Sequence, residues 1–207
     1  MKINNSFNKI ILGQILADGY VERTGKNCRL SFSFGTNSLD YANWISDIFS
    51  DYCSKGIYSV NSKTIDKLYI NYRLKTKTLD IFNQYREMFY KNIDGKSIKI
   101  VPTNIQEIMC PIVLAHLIMG DGTFSKKDKR IRISTYNFTF NECNMLADSI
   151  TKNCNINCKV LFDRVNSKNQ KQYILTIGKK ELIKVQKNVS IHMHKSMLYR
   201  IGMLRFI

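Results

Sequence analysis

The sequence is poor in several features that would point its function elsewhere. Its longest apolar run, Ile112 to Gly120, contains His116 and falls far short of the ~20 residues a bilayer crossing needs, so no membrane span is expected. The N-terminal residues, Met1 to Phe7, have no long apolar core and no Arg-rich amphipathic pattern; neither a secretory signal nor a transit peptide is expected there. Proline occurs only as Pro102 and Pro111, beside heavy use of Asn, Lys and Ile, which fits the codon bias of an AT-rich genome. The six cysteines are scattered, which fits a reducing compartment better than a disulfide framework. Acidic residues number 16 against 32 Lys and Arg, a formal charge of +16. Such an excess repels itself in a compact chain unless a polyanion offsets it. Nucleic acid is the first candidate partner and an anionic membrane surface the second. With 44% hydrophobic and 11% aromatic residues the chain is not disordered. Its 207 residues suit one domain or two small ones.

Two stretches share one build: Ile11-Leu12-Gly13-Gln14-Ile15-Leu16-Ala17-Asp18-Gly19 and Leu114-Ala115-His116-Leu117-Ile118-Met119-Gly120-Asp121-Gly122. Each is an apolar helical run ending in Asp-Gly. The first predicts a helix over 8–18, with Gly13 and Ala17 on one face where a second helix can approach closely, and Gly19 as a left-handed stop. Pro111 suits the first turn of the second motif helix, with Cys110 at its cap. After the first motif, Arg29 to Phe34 alternates, with Leu30, Phe32 and Phe34 inward. Lys67 to Arg73 alternates again, with Leu68, Ile70 and Tyr72 inward. A helix opening at Asn37 or Ser38, a strand over 56–61 and a helix over 78–90 complete the order α-β-β-α-β-β-α. The second half repeats it: Arg130 to Ser134 alternates, Thr139 or Asn141 opens a helix, and 159–165 with 172–177 form a hairpin. Residues 92–104, polar and carrying Gly95, read as a linker between halves 1–91 and 105–207. An internal duplication of two units predicts an α+β fold with a pseudo-twofold pair of subdomains.

The outward strand faces carry side chains that match base edges: Arg29, Ser31, Ser33, Lys67, Asn71 and Arg73 in the first half, and Lys127, Arg130, Arg132, Ser134, Lys159 and Gln172 in the second. Arg23 and Lys26 adjoin the first set. One such face alone is ordinarily a solvated surface; two with the same bias in a strongly basic chain point to nucleic acid, and on a duplex a twofold-related pair covers on the order of 20 base pairs. Asp18 and Asp121 stand at helix C-termini, where the macrodipole disfavours an anion. If the small-residue faces pack, the two carboxylates repel as well. A hard divalent cation, Mg²⁺ or Mn²⁺, relieves both penalties, and phosphate can complete its shell. That arrangement suits metal-assisted phosphodiester hydrolysis.

On these residues the chain resembles the LAGLIDADG homing endonucleases, of the single-chain, two-motif, intron-encoded type. The resemblance covers nearly the whole chain. It implies two pseudo-symmetric αββαββα subdomains with saddle-shaped antiparallel sheets, packed through the two motif helices and set in the DNA major groove. It implies a monomer that cuts both strands of a long, near-palindromic site across the minor groove, leaving short 3′ extensions. Asp18 and Asp121 match the metal-binding acids, with the carbonyls of Ala17 and Gly120 as further metal contacts. Lys99 matches the basic residue near the end of the first half. Arg200 stands where lysine is usual in the second, and since arginine keeps the charge but cannot act as a base, Lys195 is the fallback. His116 replaces a small residue and is expected to serve packing rather than catalysis. Cys154 and Cys158 with His192 and His194 lack the spacing of a zinc finger. The resemblance also implies an organellar setting, mitochondrion or chloroplast. The alternative function is an intron-encoded RNA maturase that assists splicing of its host intron without cutting DNA; two retained, disfavoured acids favour cleavage.

Overall fold

The computed structural model describes residues 3–63 and 68–203. Residues 18–87 form one compact unit; the other described residues, 3–17 with 88–203, form a second.

In the first unit, β1 (Tyr20–Thr24) and β2 (Asn27–Phe34) make a hairpin turned at Gly25, which takes φ 66°. β3 (Tyr58–Lys63) and β4 (Leu68–Lys75) add to it, giving an antiparallel sheet of order β1-β2-β4-β3. Leu30, Phe32 and Phe34 are buried, as their period predicts. They meet α2 (Leu39–Ile48) and the 3-10 turn Asp80–Phe82 that leads into α3 (Asn83–Phe89), with the Phe32 and Phe49 rings 4.9 Å apart. β4 departs from simple alternation. Leu74 is fully buried, but Ile70, expected inward, is 41% exposed. The register supplies the reason: β2 pairs with β4 only over 72–75, so the outer end of the β3–β4 hairpin has no strand beside it and little core beneath. Lys67 and the side chain of Leu68 lie outside the described residues.

The second unit repeats the topology. β7 (Gly122–Ser125), β8 (Arg130–Ser134), β10 (Lys171–Ile177) and β9 (Cys158–Val165) form a sheet in the order β7-β8-β10-β9. Ile131 and Ile133 are buried; α6 (Phe140–Cys154) packs against β9 and β10, and α7 (Leu182–Asn188) follows the sheet. Thr139 caps α6 in a reciprocal capping box: its hydroxyl accepts from the Glu142 N–H while the Glu142 carboxylate accepts from the Thr139 N–H.

The segment 92–104 has regular structure. β5 (Tyr90–Ile93) and β6 (Lys96–Lys99) form a hairpin closed by Asp94-Gly95 at φ 50° and 74°. Positive φ at both central residues is what a two-residue hairpin turn demands, and Asp-Gly is its strongest local signal. A short helix, α4 (Ile105–Ile108), follows.

The motif helices are α1 (Asn5–Leu16) and α5 (Pro111–Asp121). Asn4 caps α1, its Oδ1 accepting from the Phe7 N–H at 2.8 Å. Cys110 holds the cap position of α5 and Pro111 its first turn, as expected. The left-handed stop was not formed. α1 ends at Leu16 with Ala17 at φ −84°, ψ −128°. α5 runs through Asp121, and Gly122 is extended (φ −79°, ψ 147°), passing straight into β7. Gly122 is needed for space: a Cβ there would sit 2.5 Å from the Ile118 carbonyl oxygen. No helix among the described residues is long and apolar enough to cross a membrane.

Candidate nucleic-acid interface and motif acids

α1 and α5 pack together within the second unit. Both helices are buried all round in their C-terminal turns, from Ile11 to Leu16 and from Val113 to Met119. The close approach centres on Gly13. A Cβ at that position would lie 2.7 Å from the Cβ of His116 and 2.7 Å from the Val113 carbonyl oxygen. Counted back from the motif acids, Gly13 and His116 hold the same place (13 to 18, 116 to 121), so the absent side chain of one copy makes room for the imidazole of the other. His116 Nδ1 lies 2.8 Å from Gln14 Nε2. Burial, with a smaller contribution from His192, holds the imidazole pKa down to about 3, so it is neutral. His116 is thus a packing residue.

This packing fixes the two motif ends. Asp18 is exposed, one residue beyond the cap of α1; Asp121 is half-buried in the last turn of α5. The Lys99 ammonium, at the end of β6, donates to the Ala17 carbonyl at 2.6 Å. Arg200 Nη1 donates to the Gly120 carbonyl at 2.9 Å and to that of Gly122. Each basic residue thus reaches the carbonyl that precedes its motif acid, across 82 positions in one case and 80 in the other. Lys195 is exposed in the helical turn that carries Arg200. The buried Nε–H of Arg200 has no hydrogen-bond partner in the described structure, which leaves a donor for an oxygen ligand. Among the described residues no group of three or more His, Cys, Asp or Glu could hold a metal. At each motif end the donors are a carboxylate and a backbone carbonyl. Hard oxygens of this kind fit Mg²⁺ or Mn²⁺, which keep waters and take phosphate oxygens.

On the first sheet Ser31, Ser33 and Arg73 border one shallow groove with Asp18, Glu22 and Lys75. The Glu22 carboxylate accepts from Arg29 Nε and Nη2, both at 2.8 Å, and from Lys75 at 3.3 Å. Chiefly the Arg29 hydrogen bonds, against an opposing effect of burial, pull its pKa down to about 2. Asn71 is half-buried on the same face, two residues along β4 from Arg73. Lys26 is exposed in the hairpin turn. Arg23 does not join the set: it pairs with buried Cys28, on the side of β1 that carries buried Val21, because successive residues of a strand point to opposite faces. Lys75 belongs to the same face: the alternation of Lys67 to Arg73, continued by one period along β4, includes it.

On the second sheet Arg130 donates to Asp128 through Nη2 at 2.9 Å and Nε at 3.2 Å. Arg132 donates to Asp163, which also accepts from the Tyr136 hydroxyl at 2.9 Å. Arg130 and Lys159 border a second shallow depression together with Lys179 and Lys180, two cations the strand pattern could not reveal because they lie in a 3-10 turn after β10. Lys127 is exposed in the β7–β8 turn, and Ser134 is half-buried at the end of β8. Gln172 lies beyond a bulge in the β9–β10 pairing, where its Oε1 accepts from Arg164 Nε at 3.2 Å.

A helix pair with an acid at each end, together with two four-stranded sheets of one topology in the same chain, defines a class of protein. The chain belongs to the LAGLIDADG DNA endonuclease family, whose family model matches residues 8–185. Among solved structures it is similar to the homing endonuclease I-WcaI bound to its DNA recognition sequence, with 20% identity, a TM-score of 0.85, and 97% of this chain and 88% of that one covered. It is also similar to I-DmoI in complex with DNA and Mn, with 15% identity, a TM-score of 0.57, and 89% and 96% covered. At these identities the likeness concerns the fold. Among curated proteins it is 28% identical to the cytochrome b mRNA maturase bI2 of Saccharomyces cerevisiae over 97% of this chain and 48% of that protein. It is 27% identical to the protein of the same name from Debaryomyces hansenii, over 94% and 72%. The chain thus spans about half the length of the Saccharomyces protein.

Proposed function

We propose that the chain is a site-specific endonuclease that hydrolyses phosphodiester bonds in both strands of a long, near-palindromic DNA duplex with Mg²⁺ or Mn²⁺, acting as a monomer. The observation that carries this is the repeated arrangement at the motif ends: an acid, the carbonyl before it, and a distant cation brought onto that carbonyl. A carbonyl oxygen has two lone pairs, so Ala17 and Gly120 can each hold their cation and still face a further ligand. A divalent ion held there supplies activation of water and stabilisation of the leaving oxygen. The chain's own residues do the rest. Asp18 and Asp121 supply anionic oxygens. Lys99 and Arg200 hold positive charge beside each reacting phosphate, and the spare Nε–H of Arg200 can donate to a water or phosphate oxygen. Arg200 orients and stabilises without taking a proton. The polar sheet faces dock the duplex: Ser31, Ser33, Asn71, Arg73 and Lys75 on one, Lys127, Ser134, Lys159 and Gln172 on the other. Solved structures of I-DmoI hold DNA with Mn or with Ca, which supports a divalent ion.

The test uses the full chain, Mg²⁺ and a plasmid library carrying randomised inserts. Asp18→Asn and Asp121→Asn should each abolish double-strand cleavage while retention on duplex DNA persists. Full cleavage by both variants would sink the proposal.

A second function is favoured by one observation: both curated relatives are named as mRNA maturases. An RNA maturase acting on its host intron would keep splicing activity in the Asp18→Asn protein, which a splicing assay on that intron can read. The same names support an organellar setting, in the mitochondrion or chloroplast.

A further inference from the structure

The polar sheet faces contain a feature that simple DNA attraction does not explain. In a chain with twice as many bases as acids, three strand arginines on these faces, Arg29, Arg130 and Arg132, are held by carboxylates. Exposed ion pairs of this sort add little stability. A carboxylate on a DNA-facing surface also repels phosphate. Its presence there marks a place where a base edge, rather than the backbone, comes closest.

Arg29 and Arg130 make the comparison sharp, because they hold the same place in the two sheets. Each lies three residues before a core strand residue that pairs with the buried leucine of the next strand: Leu30 and Phe32 follow Arg29, with Phe32 opposite Leu74; Ile131 and Ile133 follow Arg130, with Ile133 opposite Leu175. Each guanidinium is held side-on, through Nε and Nη2. Yet the acids come from different places. Glu22 is the direct cross-strand partner of Arg29 on β1. The cross-strand partner of Arg130 is Ser125, and the acid is instead Asp128 in the turn, itself held by the Ser125 hydroxyl at 3.0 Å. Two different local solutions give one result.

A guanidinium held side-on keeps its opposite edge, Nη1 with the remaining N–H of Nη2, as a free end-on fork. That fork matches guanine O6 and N7 in the major groove. We propose that Arg29 and Arg130 are the guanine readers of the two half-sites, and that Glu22 and Asp128 are positioning residues that aim them. This rests on the DNA-cleaving function proposed above and names the specificity determinants of its docking surface. Arg29 engages both oxygens of Glu22, whereas both bonds of Arg130 go to Oδ2 of Asp128, so the first clamp is the stiffer of the two. The second half-site should therefore show the weaker guanine preference.

The experiment is selection of bound duplexes from a randomised DNA library by the full wild-type chain, Glu22→Gln and Asp128→Asn, with thermal melting as a check on folding. Wild type should select guanine at two positions, one in each half-site. Glu22→Gln should lose about tenfold of the discrimination at one of them, and Asp128→Asn should do the same at the other, all remaining positions unchanged. Loss of a negative charge should leave total affinity equal or higher and steepen its salt dependence. A merely structural role cannot produce a change confined to one base position. An unchanged selection profile, or a loss spread evenly over all positions in a folded variant, overturns the inference while leaving the endonuclease proposal standing. Failure of wild type to enrich any duplex removes the DNA-reading premise and both conclusions together.

Discussion

Replacing Gly13 with alanine tests the helix packing that sets the two motif ends. The added Cβ would lie 2.7 Å from the Val113 carbonyl oxygen, 2.7 Å from His116 Cβ and 3.2 Å from Val113 Cα. Two of these three neighbours are backbone, and the third is the Cβ of a fully buried residue. None can rotate aside, so α1 and α5 must separate or shift. Overpacking a filled core costs about 1–3 kcal/mol, while exchanging glycine for alanine inside a helix returns about 0.5–1 kcal/mol. Two contacts at 2.7 Å to atoms that cannot rotate aside put the cost in the upper part of the overpacking range, so the expected balance is a loss of about 1–2 kcal/mol, or roughly 2–8 °C in Tm for a chain of this size. Gly35→Ala is the control: Gly35 has φ −72° and nothing within 4 Å of its ideal Cβ. It should leave Tm unchanged or raise it slightly. Far-UV circular dichroism melts of the two variants beside wild type decide the matter. If Gly13→Ala melts at or above the wild-type temperature, the close-contact account of the motif helices is wrong. A further expectation is lower cleavage in Gly13→Ala, because a shift of α1 moves Ala17 and Asp18.

Other perturbations follow from the same structure. His116 has a folded pKa of about 3, below its ordinary 6.5, so under pH 6.5 the unfolded chain takes up a proton that the folded chain refuses. Stability present above pH 6.5 should therefore fall toward pH 3, by up to ~1.4 kcal/mol per pH unit for this one group. His116→Leu should flatten that fall between pH 6.5 and 4.5 in denaturant titrations at stepped pH. Below pH 4.5 both proteins should lose stability as the lowered pKa of Glu22, about 2, comes into play. Arg200→Ala removes the cation from the second motif only, and should slow cleavage of one strand by roughly 10²-fold; supercoiled plasmid should then accumulate as nicked circle, and Arg200→Lys should restore part of the linear product. Gly202 has φ 76° with the Phe124 ring 2.6 Å from an added Cβ, so Gly202→Ala should cost at least ~1 kcal/mol by the same melts.

What could be learned from the chain as a string was set by local rules. The period-two alternation of Arg29 to Phe34 and of Arg130 to Ser134 gave the buried and wet faces, because side chains on a strand must alternate. Pro111 and Thr139 marked helix starts through their own backbone chemistry. The Asp94-Gly95 turn is local too: both residues accept positive φ, so a hairpin stands inside a polar segment of linker composition. Other features depend on what lies alongside. Whether Ile70 is buried depends on how far β2 extends beside β4, which no property of β4 states. Whether Gly13 serves as a stop, a hinge or a gap depends on His116 in another helix. Lys99 and Arg200 meet Ala17 and Gly120 only after the chain has closed over 80 or more positions. The sequence alone determined the two motifs, their acids and the strong positive charge, since these are matters of residue type and short spacing. The tertiary structure alone decided which cation reaches which carbonyl and which acid restrains which arginine, since such pairings are made by long-range closure of the chain.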